Sequence, residues 1–110
     1  MSYNQKGVKM TIQKEIDGNK LTFIVSGEMN TPAATEFGKK YRETMSETPG
    51  ITELTLDLTG LDFIVSSGLR VLLEMARDMN GKGTINTIGV NDRVMETINM
   101  TGIAQYLNIS

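Results

Sequence analysis

The sequence predicts an α/β domain in which helices pack against a mixed sheet of four to five strands, in the order ββαβαβα with a short terminal strand. Residues 8–13 alternate apolar and polar side chains, as a half-buried strand does. Amphipathic helical segments then alternate with short β-rich runs, which favours right-handed crossovers between parallel strands. The length of 110 residues suits one domain.

The N-terminal segment is predicted to form a β-hairpin. Residues 1–7 are polar and are expected to be a frayed start, so the single domain spans residues 8–110. Asp17-Gly18 is a signal for a tight turn between two strands. The returning strand covers residues 21–25, and Gly27 is expected to end it.

Three amphipathic helices are predicted, each with a recognisable start or end. Thr31 precedes Pro32 and is the expected N-cap of the first helix. Ser66, the preferred N-cap of the second helix, lies where a long loop enters that helix. Asn91 is expected to cap the third helix, which Gly102 ends.

The remaining strands are short and rich in β-forming residues. Residues 54–58 and 84–89 are the expected third and fourth strands, and residues 103–109 are expected to form a helical turn and then an edge strand. The chain also contains 8 methionines. Four of them, Met75, Met79, Met95 and Met100, lie mostly at helical core spacing. This spacing favours core packing over an adaptable binding groove.

Composition excludes several classes of function. The chain has no Cys and no His, so it has no thiolate nucleophile, zinc–thiolate site or Ser-His-Asp triad. A net charge of −2 offers no electrostatic footprint for nucleic acid and no polybasic patch for a membrane. No apolar run approaches a membrane span, and the polar start does not look like a signal peptide. We therefore expect a cytoplasmic protein without metal or cofactor.

Two local motifs resemble functional sites without completing them. The segment Gly81-Lys82-Gly83-Thr84 lacks the upstream glycine spacing of a phosphate loop, so a helix stop and turn is favoured. Asp57 resembles the phospho-acceptor of a receiver domain, but the acidic pair and lysine of such a domain are absent. A solvated or turn-capping aspartate is therefore favoured. Carboxylate or divalent-metal chemistry through Glu28, Asp57 and Asp62 remains an enzyme hypothesis that no spacing supports.

The segment Ser66-Ser67-Gly68-Leu69 is the motif best suited to carry function. A helix N-terminus presents unpaired N–H groups and a partial positive charge. A phosphate on a serine there would gain hydrogen bonds from the first turn and would add up to two negative charges to a docking surface. The alternative is that the serine is only a helix cap.

Three segments in register resemble the signature of STAS domains, the family of the anti-sigma factor antagonists. They are residues 54–69, Gly27-Glu28-Met29-Asn30 and Met100-Thr101-Gly102-Ile103. The resemblance covers about residues 8–109 and implies the fold of that family. It also implies a bacterial regulator of transcription with no catalytic residues, which binds an anti-sigma factor that is itself a serine kinase. A phosphatase reverses the modification.

In such proteins the kinase phosphorylates the serine next to the glycine, which corresponds to Ser67, with Ser66 as the second candidate. The resemblance implies that the unmodified form binds the anti-sigma factor and the phosphorylated form does not. Phe63 is either an exposed anchor or a core residue, and Arg70 either pairs with the phosphate or is a solvated charge. The expected binding surface comprises Asn30, Thr31, Asp62, Phe63, Ser66, Ser67, Gly68, Leu69 and Arg70.

Two positions depart from the family pattern. Val65 and Asn30 stand where relatives usually carry Asp, which removes negative charge near the proposed acceptor. The alternative function is therefore a STAS docking or scaffold module that is not phosphorylated. Many relatives also continue past the position of Ser110 into a last helix, so a sheet edge or apolar patch is expected to be open to a partner. Both a monomer and a homodimer are compatible with the sequence.

Overall fold

The computed structural model describes residues 9–110, so the predicted start at residues 1–7 and Val8 lies outside the described residues. The strands are β1 (Thr11–Asp17), β2 (Lys20–Met29), β3 (Glu53–Ile64) and β4 (Thr84–Ile88). The helices are α1 (Thr31–Glu47), α2 (Ser66–Met79) and α3 (Asp92–Thr101). The sheet order is β1-β2-β3-β4, with β1 antiparallel to β2 and the other pairs parallel. The predicted fold class is confirmed. No helix among the described residues is long and apolar enough to cross a membrane.

β1 and β2 form the predicted hairpin. Asp17 pairs with Lys20, and Gly18 takes a φ of 63°, as the first central residue of a type II′ turn does. β2 does not end at Gly27, which corrects the prediction: its register with β3 shifts there, and the strand continues to Met29. Gly27 has a φ of 95°, and a Cβ at this position would lie 2.5 Å from the carbonyl oxygen of residue 9.

β3 is longer than residues 54–58, the range that the sequence predicts. It runs to Ile64 because its last residues pair with the end of β2, where Leu61 lies opposite Gly27. Within β3, only residues 53–57 pair with β4. Beyond them, the amide nitrogen of Asn91 donates to the carbonyl of Leu61 at 2.9 Å. The prediction of a long loop before α2 is therefore wrong, because a single residue separates β3 from α2.

The core lies between one face of the sheet and the helices. Phe23 of β2 packs edge-on against two aromatic rings of α1, with centroid distances of 5.9 Å to Phe37 and 6.5 Å to Tyr41. At the surface, Nε of Arg42 donates to Glu74 of α2 at 2.9 Å. Further fully buried residues come from both layers: Leu21, Leu54, Leu56, Leu72 and Met75.

The end of the chain protects the edge of β4. A short 3-10 turn, Ala104–Tyr106, leads to a single bridge between Ile109 and Thr87, so the predicted terminal strand is reduced to that bridge. The N–H of Ser110 donates to the carbonyl of Thr87 at 3.0 Å, and the Asn108 side chain donates to the carbonyl of Ile85 at 2.8 Å. These bonds occupy backbone groups that an edge strand would otherwise offer to another chain.

The methionines divide between core and surface. Met75 and Met79 are buried, as predicted, and Met95 is half-buried. The prediction of core packing is wrong for Met100, whose side chain is 81% exposed. α3 buries Val94 and Ile98 instead. Residues two apart on a helix do not share a face, so the burial of Ile98 directs Met100 away from the core.

Candidate functional site

The helix starts gather at the carboxyl end of the parallel strands. β2 leads into α1, β3 into α2 and β4 into α3, and ligands of open α/β sheets bind at this end. The N–H of Val65 donates to the carbonyl of Met29 at 3.0 Å, which places the start of α2 beside that of α1. We define the serine end as Asn30, Thr31, Asp62, Phe63 and residues 66–70.

Asn30, rather than Thr31, caps α1, which corrects the prediction. Its Oδ1 accepts from the N–H of Ala33 at 3.0 Å, and Thr31 is the first helical residue. The residue takes an extended conformation, as an N-cap does. Asn and Asp cap helices about equally well. The change from the family's Asp to Asn30 therefore removes a charge without removing the cap.

α2 begins without a side-chain cap. Val65 occupies the N-cap position, and Ser66 and Ser67 are the first two helical residues, so the expectation that Ser66 is the cap is wrong. The carbonyl of Val65 accepts from the N–H groups of Gly68 and Leu69. Among the described residues, no side chain caps this end, and the first turn contains no acidic residue. The partial positive charge of the helix start is therefore uncompensated.

The two serines differ in exposure. Ser66 is exposed, whereas the Oγ of Ser67 is buried and has no hydrogen-bond partner among residues 9–110. A buried polar atom without a partner is uncommon in native proteins. Gly68 is also closely packed, since a Cβ there would lie 2.6 Å from Cγ1 of Ile64 and 2.7 Å from Sδ of Met29. The glycine allows the first turn of α2 to sit against the ends of β2 and β3.

Phe63 is half-buried, and its exposed side is covered by a cation. The guanidinium carbon of Arg93, in the first turn of α3, lies 5.4 Å from the centroid of the Phe63 ring, which is a cation–π arrangement. Sequence reasoning missed Arg93, because no local signal links two residues this far apart in the chain. The contact places the start of α3 beside the serine end.

The other predicted surface residues divide between solvent and core. Asp62 and Thr31 are exposed. Arg70 is exposed and forms no salt bridge with another described residue. Leu69 is only 4% exposed and belongs to the core. It therefore supports the serine end from beneath rather than presenting a side chain to a partner.

The carboxylates considered for catalysis do not converge. Oδ1 of Asp57 accepts from the hydroxyl of Thr59 at 2.7 Å and from its N–H at 3.1 Å, so this aspartate caps a local turn. Within residues 9–110, no group of three or more His, Cys, Asp or Glu side chains could hold a metal ion. The described residues thus offer no geometric support for the carboxylate hypothesis.

Comparisons with known proteins agree with this architecture. The family model described as "Mlab, STAS domain" matches residues 12–109, whereas no curated protein matches the chain. An anti-sigma factor antagonist from Mycobacterium paratuberculosis has a TM-score of 0.80 and 19% identity, over 92% of this chain and 85% of its own. SpoIIAA in its unphosphorylated form has a TM-score of 0.76 and 17% identity, over 91% and 88%. SpoIIAA from Bacillus in its phosphorylated form has a TM-score of 0.69 and 16% identity, over 91% of each chain.

Proposed function

Because the chain belongs to the STAS domain family, we propose that it is a non-catalytic, partner-switching regulator of the anti-sigma factor antagonist kind. In this proposal, the serine end binds an anti-sigma factor that is also a serine kinase, in the bacterial cytoplasm. Phosphorylation of Ser67 releases this partner, and a phosphatase restores binding. Structures with this fold include SpoIIAA in both its unphosphorylated and its phosphorylated form.

The uncapped start of α2 is the observation that carries the proposal. Neither a capping side chain from the described residues nor a first-turn acid compensates this helix end. A phosphate on the first turn would supply the missing negative charge and accept hydrogen bonds from free N–H groups. The same two charges would oppose docking of any partner surface that meets the serine end without a cation, since burying an unpaired charge costs several kcal/mol.

The burial of the Ser67 hydroxyl adds a conformational component to the proposed switch. Its Oγ must turn outward before it can accept a phosphoryl group, and this turn breaks no hydrogen bond because the Oγ has none with a described residue. The phosphorylated side chain would then lie outside the buried position that the hydroxyl occupies in the unmodified protein. Phosphorylation would therefore change the shape of the serine end as well as its charge.

A docking module that is never phosphorylated is the second candidate. It is favoured by Val65 and Asn30, which replace the expected acidic residues, and by the buried hydroxyl of Ser67. In this case the serines only form the start of α2, and the partner recognises a serine end of constant charge.

A binding and modification experiment separates the two candidates. Wild type, Ser67→Ala and Ser67→Asp are used as baits in native lysate, and retained proteins are identified by mass spectrometry. A switch predicts a kinase-like ATPase that is retained by wild type and Ser67→Ala and lost with Ser67→Asp. Ser46→Asp introduces the same charge at an exposed position near the C-terminal end of α1, away from the serine end, and this variant should retain the partner.

The purified partner then tests the chemistry. With ATP it should phosphorylate wild type and Ser66→Ala at Ser67, but not Ser67→Ala, as shown by phosphopeptide mapping. Equal retention by all baits, with no phosphopeptide from native cells, would establish the unmodified docking module instead. Phosphate found only on Ser66 would contradict the assignment of the acceptor.

A further inference from the structure

A groove of about 630 Å³ lies at the opposite end of α2 from the serine end. We define this edge groove by six of its lining residues: Leu73, Ala76, Arg77, Ile85, Ile103 and Tyr106. Its floor is the start of edge strand β4, and Tyr106 at its rim is 54% exposed. Among the described residues that line it, Arg77 alone is charged. The groove is therefore concave, is lined by both apolar and polar side chains, and carries a positive charge.

The outer face of α3 has the opposite properties. Met100 is 81% exposed, which is the largest exposed fraction among the large hydrophobic side chains described. It borders a shallow hollow together with Asp92, Met95 and Glu96. Glu96 forms no salt bridge with a described residue, and neither does Arg77. The outer face thus presents an apolar projection next to uncompensated negative charge.

We propose that the protein forms a homodimer in which Met100 of each copy enters the edge groove of the other and Glu96 faces the partner's Arg77. Met100 directly precedes Thr101, which lines the edge groove, so the projection and the groove both lie at the C-terminal end of α3. A twofold axis can therefore make each contact twice, as in an isologous dimer. Burial of the methionine supplies a favourable apolar term, and the opposite charges fix the register.

A second copy explains more of this surface than a foreign partner does. The concave basic half and the projecting acidic half are both present on this chain. Met100 and Glu96 are four residues apart on α3, so they lie on the same helix face and can reach the partner together. The contact also leaves the serine end free, because that end lies at the N-termini of α1 and α2, whereas Met100 lies near the C-terminus of α3.

Sedimentation equilibrium on the full chain tests the dimer. Wild type should dimerise, and Met100→Lys, Arg77→Glu and Glu96→Arg should each weaken dimerisation by about tenfold or more, which corresponds to about 1.4 kcal/mol. The double variant Arg77→Glu with Glu96→Arg exchanges the two charges and should recover most of the loss. Glu36→Arg makes the same charge change as Glu96→Arg, but at an exposed position of α1, and this variant should dimerise like wild type.

Circular dichroism and thermal unfolding verify that each variant remains folded, which the exposure of residues 77, 96 and 100 leads us to expect. A wild type that stays monomeric up to about 1 mM, an affinity near −4 kcal/mol, overturns the proposal. A dimer that Met100→Lys leaves unchanged also overturns it, because the contact then lies elsewhere. A double variant no better than its single variants refutes the pairing of Glu96 with Arg77.

Discussion

The guanidinium of Arg93 lies 5.4 Å from the centroid of the Phe63 ring and joins the start of α3 to the last residues of β3. Asn91 strengthens this junction, since its side chain donates to the carbonyl of Leu61 at 2.9 Å. The start of α3 thus contacts the last residues of β3, with which β4 does not pair. Contacts from Asn91 to Leu61 and from Arg93 to Phe63 therefore hold the end of β3 in place. Such preorganisation lowers the entropy that is lost when a partner binds the serine end.

The contact between Phe63 and Arg93 should appear as a coupling energy. We expect Phe63→Ala and Arg93→Ala to show a coupling of about 0.5–1 kcal/mol in a double-mutant cycle, as cation–π contacts at exposed sites do. Urea unfolding of wild type, both single variants and the double variant measures this energy. Strictly additive losses would mean that the two groups are neighbours without attraction.

Ser67→Ala should not destabilise the protein. It removes a buried hydroxyl that has no partner among the described residues, so we expect the free energy of unfolding to rise by about 1 kcal/mol. Ser66→Ala is the matched control and should change stability by less than about 0.5 kcal/mol, because Ser66 is exposed. Chemical denaturation gives both values. A loss of stability with Ser67→Ala would show that the hydroxyl is satisfied in solution.

Asn91 should contribute through two separate hydrogen bonds. Oδ1 caps α3 by accepting from the N–H of Val94 at 2.7 Å, and the amide nitrogen donates to Leu61. Asn91→Ala removes both and should cost about 2 kcal/mol, whereas Asn91→Asp keeps the cap and should cost about 1 kcal/mol. Urea unfolding compares them. Equal losses would indicate that the cap adds nothing to stability.

Tyr41 should make stability depend on alkaline pH. Its hydroxyl donates to Asp78 at 2.7 Å, and burial, followed by this hydrogen bond, raises the pKa of Tyr41 well above its ordinary 10.0. The folded state then holds the phenolic proton more tightly than the unfolded chain. Stability from this group is complete below pH 10 and declines as the pH rises above about 10, where the unfolded chain ionises first.

Tyr41→Phe tests this dependence, because phenylalanine cannot ionise. At neutral pH the variant should be less stable by about 1 kcal/mol, owing to the lost hydrogen bond. The difference should shrink above about pH 10, when measured by urea unfolding across the alkaline range. Asp78→Asn should retain part of the pH dependence, since burial is the largest cause of the raised pKa. A constant difference at all pH values would contradict the assignment.

Most features that depend on local sequence were predicted correctly, although Asn30 rather than Thr31 caps α1. The hairpin turn at Gly18, the cap at Asn91 and the stop at Gly102 follow from the backbone preferences of single residues. The periodicity of α1 and α2 identified their buried faces, as shown by Phe37 and Leu72. Three spaced segments were enough to identify the family, although each is weak by itself.

Features that depend on distant partners were predicted wrongly or missed. β3 extends to Ile64 because β2 offers backbone partners there, and no local propensity reports that pairing. The extension moves the start of α2, so Val65 rather than Ser66 takes the N-cap position. Met100 fits a helical core pattern, yet the helix rotation set by Val94 and Ile98 exposes it.

The sequence by itself therefore determined the order of elements, the family and the position of the two serines along the chain. Only the tertiary structure decided which serine hydroxyl is buried, that Arg93 covers Phe63, and that Arg77 lies in a groove whose charge is opposite to that of Glu96. The physical reason is one of range. Turns, caps and periodicity act over a few residues, whereas burial, cation–π contacts and grooves arise between segments that only the folded sheet brings together.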